Sequence, residues 1–524
     1  MGDESFSSFG KGRTVKLDLV ELDKIVAFTQ TRSLQEDEFQ SLCKAVRVLG
    51  ELSAPAYKNE KAAAVGLGEE TEADPVEEPK LEPKPKPPAS GRKKPADFVD
   101  AATVTVADPD LKSGQLCPCG CGGRLYLIKR KQRIRRFTGR PPIEVTFYEL
   151  EKLRCNKCEA VFTAPLPEKA GEKTYEASAV TMLAIGKYAS GQPFYRQAGM
   201  LGCLGVPIAA STQYEVLAAA AANIRPAHTE LIRLAAQVKL SFVDDTWINI
   251  LLFKRSPKDK RTGIHTTGVV SVDKDFSIGL FFTGAEHAGE NMGRLLNQRE
   301  PNLPALIQMS DALSRNFSNM KSEAKVIHCC CLTHGRRNFV KIAESFPMEC
   351  RYVIKKIGAV YHIDKQASKM DEQTRMAFHR MNSGPIMGDL HEWFLGQFEK
   401  KLVEPNSQLG KAIQYMLNHW HGLTQFLRVP GAPLDSNTVE RALKTVILNR
   451  KNSLFYRTAN GALTGDLYMS LIYTCKLNKV NPFNYLTELQ RNAAALKANP
   501  GDWMPWTYLE TLRRKKQPSG EAAA

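Results

Sequence analysis

Between residues 238 and 311, apolar runs recur in an order that few folds accept. "VKLSFVDDTWINILLF" reads as a strand ending at two aspartates, Asp244 and Asp245, followed by a second extended run. "GIHTTGVVSV" and "FSIGLFFTG" are rich in β-branched and aromatic residues and are parted by the turn "DKD", so they read as two more strands. "EHAGENMGRLLNQR" has the look of a helix. "ALIQMSD" is a short apolar run ending in Asp311, the form of a strand buried in a parallel sheet. The order is strand, strand, strand, helix, strand, with acids closing the first and the last.

That is the element order of an RNase H-like core, whose first and fourth strands lie side by side. Asp244 and Asp311 are therefore expected to meet. Adjacent strand residues point to opposite faces, so only one of Asp244 and Asp245 can join such a pair. A third acid comes from "LDSNTVERALKTVILNRKNSLF", residues 434–455. Asp435, Ser436 and Asn437 are helix-capping types. Val439, Ala442, Leu443 and Val446 recur at helical spacing and predict one buried stripe. Glu440 sits at the edge of that stripe. Three carboxylates from two strands and a helix can hold two divalent cations, Mg²⁺ (or Mn²⁺), which prefer hard oxygen ligands and suit in-line phosphoryl displacement. Taken singly, each acid has a plainer reading: a turn former at a strand end, or a solvated Glu440 paired with Lys444 one turn on. Arg441, Lys444, Arg450 and Lys451 follow Glu440 with no further acid, which suggests contacts to a phosphate backbone.

The whole chain leans the same way. Its 72 Lys and Arg against 56 Asp and Glu give a formal charge of +16, which favours acidic partners, nucleic acid first. No run approaches ~18 consecutive apolar residues, so no membrane span is expected, and the N-terminus lacks the apolar core of a signal peptide. Of 12 cysteines, Cys117, Cys119 and Cys121 form one cluster and Cys155 and Cys158 a second at C-x-x-C spacing. Two strand-like runs separate them, the layout of a zinc ribbon, in which four of the five thiols would hold a structural Zn²⁺. Reduced cysteines without metal are the alternative. Between the clusters lie Lys129, Arg130, Lys131, Arg133, Arg135 and Arg136, a basic strand fit for phosphate contact.

The expected plan is an α/β multidomain chain. It comprises an N-terminal helical segment (1–52), a Pro- and charge-rich linker (53–97), a zinc-ribbon-like β domain (98–168) and a helical, helix-turn-helix-like segment (169–236). In the last, Gly191–Pro193 and Gly205–Pro207 part three helices, the third capped by Ser211 or Thr212. The core then runs in two parts (237–345 and 431–474) around a helical insertion (346–430), before a C-terminal helical segment and tail (475–524).

Several stretches together resemble the IS66 family of bacterial insertion-sequence transposases, over roughly residues 90–515. "DSNTVERALKTVILNRKNSLF" is similar to its signature around a catalytic glutamate, with a slightly altered serine–asparagine order. "QPFYRQ" and "GALTGDLYMSLIYTCKLNKVNPFNYL" are similar to its helical and C-terminal segments. "VDDTW" matches its first acidic motif, with Asp245 where a glutamate is usual, and "QMSDALSRN" matches the second without the following Gly-Tyr. "CLTHGRRNF" matches a Cys-x-x-His-x-Arg-Arg-x-Phe motif through Cys331, His334, Arg336, Arg337 and Phe339. The resemblance implies a DDE transposase with Asp244, Asp311 and Glu440 as its catalytic acids. It implies binding to terminal inverted repeats and to target DNA; Arg336 and Arg337 are further candidate DNA contacts, and Cys331 and His334 read either as the start of a packed helix or, with Cys329 and Cys330, as a second metal site. It further implies self-association when active, small accessory proteins encoded by the same element, and a place in the bacterial cytoplasm at the nucleoid. A catalytically silent DNA-binding derivative, and an RNase H-like nuclease without joining activity, are the alternatives.

Overall fold

The computed structural model describes residues 108, 110–119, 121–126, 142–154, 156, 159, 161–254, 263–317 and 325–516. The segments expected over 1–97, the basic residues Lys129 to Arg136, and Cys155 and Cys158 lie outside the described residues. The chain divides into two units at Lys84–Pro85, and every described residue is in the second.

A short antiparallel hairpin comes first, β1 (Lys152–Arg154) with β2 (Val161–Thr163). Three helices follow, α1 (Ala177–Ala184), α2 (Phe194–Cys203) and α3 (Ala210–Ala235). They part at the turns read from the sequence, where Gly191 and Gly205 take φ of 70° and 79°, a region open to glycine at little cost. The third helix starts earlier than expected. Ala209 is its N-cap, without a side-chain cap bond, and Ser211 and Thr212 fall inside its first turn.

Five strands then build the central sheet: β3 (Leu240–Trp247), β5 (His265–Val272), β6 (Ser277–Gly284), β7 (Leu306–Ser310) and β8 (Val326–Cys330). β4 (Ile250–Leu252) follows β3 and pairs elsewhere. The order across the sheet is β6-β5-β3-β7-β8. The first three are antiparallel, and β7 and β8 run parallel to β3. Helix α4 (Ala288–Leu296) connects the two halves. Val243, Val269, Val270, Leu280, Phe281, Ile307 and Met309 fill the core around it. Two differences from the sequence reading stand out. β3 continues three residues past Asp244, because Thr246 and Trp247 keep pairing with β5. "VIHCC" is a fifth strand of the sheet, which the expected order of elements did not include.

The rest is helical: α5 (Leu332–Ile342), α6 (Pro347–Gln366), α7 (Glu372–Glu399), α8 (Gln408–Asn418), α9 (Trp420–Leu423), α10 (Asn437–Ser453), α11 (Ala459–Leu477), α12 (Pro482–Arg491), α13 (Ala493–Ala498) and α14 (Tyr508–Lys516). β9 (Tyr456–Thr458) pairs in parallel with β4. No helix of the described residues is long and apolar enough to cross a membrane.

Helix α11 closes the sheet's open edge in an unusual way. Asp466, Ser470 and Thr474 recur every four residues along it, and Asn478 follows at its C-cap. Four helical residues rise ~6 Å and two strand residues ~6.7 Å, so this row keeps step with alternate residues of β6. Asp466 accepts from the Thr283 N–H (2.7 Å), Ser470 from Phe281 (3.0 Å), Thr474 from Gly279 (3.1 Å) and Asn478 from Ser277 (3.0 Å). Thr474 and Asn478 also donate back to the Gly279 and Ser277 carbonyls. A helix thus supplies the partners a sixth strand would have supplied, and the edge is not left to pair with another chain.

Candidate active site

Asp244 lies on the central strand and Asp311 one residue past the end of its parallel neighbour. The register pairs Leu240 with Ile307 and Phe242 with Met309. Continued by two residues, it carries Asp244 level with Asp311 on the same face. Neighbouring strands are ~4.8 Å apart, so the two carboxylates face each other closely. Burial and the charge of Asp311 push the Asp244 carboxyl up to about 7, against the backbone N–H of Asp245 and the nearby His334. Asp311 is anchored by the side-chain amide of Asn316 and, at 3.3 Å, the Leu313 N–H.

Asp245 turns the other way. Its side chain is 1% exposed and accepts from the Thr267 hydroxyl (2.6 Å), the Ala288 N–H (3.0 Å) and His287 Nδ1 (3.2 Å). It fixes the start of α4 to β3 and β5, and every contact it makes is structural.

Glu440 stands in the first turn of α10, which packs on β3 and β5. Gly268, the cross-strand partner of Asp244, is the seat. A Cβ there would come 2.8 Å from Leu443 and 3.3 Å from Val439. A larger residue there would have to displace the side chains of Leu443 and Val439, so glycine lets the apolar stripe of α10 settle close to the strand that carries Asp244. The helix starts where the sequence suggests, with Ser436 as N-cap, although the cap bond comes from Asp435, which accepts from the Asn437 N–H (3.1 Å). The Glu440 carboxylate faces α5. It lies 3.9 Å from His334 Nε2 and 3.8 Å from Arg337 Nη2. Among the described residues, the trios of Cys, His, Asp or Glu whose ligand atoms all fall within 4.8 Å of one another are Cys117–Cys119–Cys121 and Cys331–His334–Glu440. Asp244, Asp311 and Glu440 are not such a trio. The sequence named Cys331, His334 and Arg337 without linking them to Glu440. Their joint spacing on one helix start was the available signal.

The other candidates divide by surroundings. Arg450 stacks on Trp247 at 4.1 Å and donates to the Thr246 hydroxyl (2.9 Å) and the Trp247 carbonyl, tying α10 to β3. Arg441, Lys444 and Lys451 are exposed on α10, and Arg336 and Arg337 are half-buried on α5. Cys117 and Cys119 have sulfurs 3.1 Å apart. They sit in a tight turn closed by the Leu116–Arg124 bridge and by the Cys117 N–H donated to the Gly123 carbonyl (2.7 Å).

Residues 172–464, more than half of the chain and all three candidate acids, match the family described as Transposase IS66 family. The chain is also similar to three uncharacterized proteins of Sinorhizobium fredii. It is 24% identical to y4hP over 79% of this chain and 76% of that protein. It is 27% identical to y4jD over 64% and 66%, and 24% identical to y4qI over 62% and 61%, respectively. With its mixed sheet and its match across the region that holds Asp244, Asp311 and Glu440, the chain belongs to the IS66 family of transposases.

Proposed function

We propose that the protein binds the terminal inverted repeats of its element, cleaves DNA at their ends and joins the freed 3′-hydroxyls to target DNA. The observation that carries this is the register that brings Asp244 level with Asp311 at the centre of a β6-β5-β3-β7-β8 sheet. That sheet order supports an RNase H-like core over 237–345 and 431–474, interrupted by the helical insertion 346–430. The helical segment 169–236 and the ribbon-like 98–168 are the proposed DNA-binding parts. The Cys117–Cys119–Cys121 turn and the β1–β2 hairpin support that ribbon, with Zn²⁺ held by thiols. Pairing two ends requires at least two copies.

The residues present fit Mg²⁺. Asp244 and Asp311 are carboxylates held together against their own repulsion, and Glu440 Oε1 is buried without a hydrogen-bond partner. Asp244, Asp311 and Glu440 would hold the ions; when bound, these supply activation of the attacking oxygen and stabilisation of the leaving one. The protein's own part is positional. Asp245 locks the sheet beneath Asp244, Asn316 aims Asp311, and the Gly268 seat sets how near Glu440 comes. Arg441, Lys444 and Lys451 line the flank along which a phosphate backbone would run.

A second reading, a DNA-binding protein without catalysis, draws on one observation: Glu440 faces Cys331 and His334 and is not gathered with the two aspartates. The test is a labelled inverted-repeat end incubated with full-length protein, Mg²⁺ and a target duplex. The proposal expects nicked and target-joined products. Nicks without joining point to a nuclease, and binding without nicks to the silent derivative.

A further inference from the structure

Cys331 directly follows β8 and is the N-cap of α5, and Ser436 is the N-cap of α10. Two helix starts therefore converge on one sulfur. Cys331 is fully buried, and its Sγ accepts the Ser436 N–H at 3.3 Å. The His334 backbone N–H also donates to it. Burial pushes the Cys331 thiol up and these N–H donors offset part of that, so the thiolate that binds metal forms as the ion displaces the proton. Around this sulfur the structure leaves polar atoms without partners. His334 Nδ1 and Glu440 Oε1 are both buried with no hydrogen bond. Such atoms are costly unless something absent from the polypeptide satisfies them.

We propose that Cys331, His334 and Glu440 form a binding site for a borderline-soft divalent cation of the zinc class. Sulfur, imidazole nitrogen and carboxylate oxygen are its usual donors, whereas Mg²⁺ prefers oxygen alone. The three ligand atoms lie within 4.8 Å of one another, and His334 Nε2 is 3.9 Å from Glu440. A small side-chain movement closes them to tetrahedral spacing. One thiolate and one carboxylate offset the charge of a divalent ion, and the Arg337 guanidinium flanks the site, 3.8 Å from Glu440 and 3.3 Å from His334 Nε2. Three protein ligands leave the fourth position open. The site is separate from the cysteine turn at Cys117–Cys121. It shares Glu440 with the proposed catalytic acids but stands without the catalytic reading.

The test is metal stoichiometry on the full-length chain, stripped with chelator and titrated with Co²⁺, whose thiolate charge-transfer absorption reports cysteine ligation. Wild-type protein is expected to take up one equivalent more than Cys331→Ser, with matching loss of that absorption. His334→Ala, at a half-buried position where folding is less at stake, should weaken this equivalent by more than the ~10–100-fold typical of an outer-shell loss. A triple variant, Cys117→Ser, Cys119→Ser and Cys121→Ser, should retain it. Unchanged uptake and absorption in both Cys331→Ser and His334→Ala overturn the proposal. No DNA is present, so absence of strand joining in the separate assay leaves this result unaffected.

Discussion

Asp244 and Asp245 are neighbours in sequence with opposite surroundings. The alternation of a strand was enough to say that only one of them faces Asp311. The identity of that one rests on the register with β7 and on three donors that hold Asp245, from Thr267, His287 and Ala288. Asp244 carries the cost of its position. Its folded-state carboxyl titrates at about 7 against an ordinary 3.8, because of burial and then Asp311. The folded state therefore holds a proton that the unfolded state has released between those values. Stability falls as pH rises through that window and levels off above about 7. Asp244→Asn removes the cost. In metal-free protein its melting temperature should match wild type near pH 4 and exceed it above pH 7, by a stability gain on the order of 1–3 kcal/mol. Equal melting curves at high pH would contradict the electrostatic account of this residue. Glu440 was legible as an acid on the edge of an amphipathic stripe. Its approach to Cys331 and His334 was not, because it depends on two helix starts, 105 residues apart in the chain, meeting beside one strand end.

The helices were mostly legible from period and turns. α10 follows from Val439, Ala442, Leu443 and Val446, all buried as the spacing requires. Its seat on Gly268 was hidden, since a glycine within a strand has several explanations. Gly268→Val should push Leu443 and Val439 off β5, at ~1–3 kcal/mol for overpacking. Strand-joining activity should fall far more than stability, because Glu440 moves with the helix. A thermal melt beside a joining assay separates the two; a variant that melts lower but joins normally would show that α10 need not sit there. The row Asp466, Ser470, Thr474 and Asn478 carries a sequence signal of its own, small polar residues at every fourth position in an otherwise apolar helix. Thr474→Val keeps the shape and leaves the Gly279 N–H and carbonyl without their side-chain partner. It is expected to cost ~1–3 kcal/mol, read by denaturant titration, with faster amide exchange at Gly279. β8 was missed because "VIHCC" and the helix after it share one apolar run, and only its pairing with β7 distinguishes strand from helix.

At the scale of the whole molecule, the pairing of the Asp244 strand with the strand leading to Asp311 was readable because a parallel pair buried on both faces leaves a strong apolar signature, although Asp244 lies within its strand and not at its end. The family membership rests on residues 172–464, and the three candidate acids are spread over nearly 200 positions of that region. Only the folded sheet and α10 bring them to one side of the protein. The +16 charge suits a polyanionic partner. Whether this arrangement joins DNA is decided by a strand-transfer assay with Mg²⁺, a labelled inverted-repeat end and a target duplex, comparing wild type with Asp311→Asn. Asparagine keeps the size of Asp311 and an Oδ1 able to accept from Asn316 and Leu313, and the account predicts target-joined product from wild type and a loss of ~10³-fold or more in the variant. Joining by Asp311→Asn at the wild-type rate would contradict it.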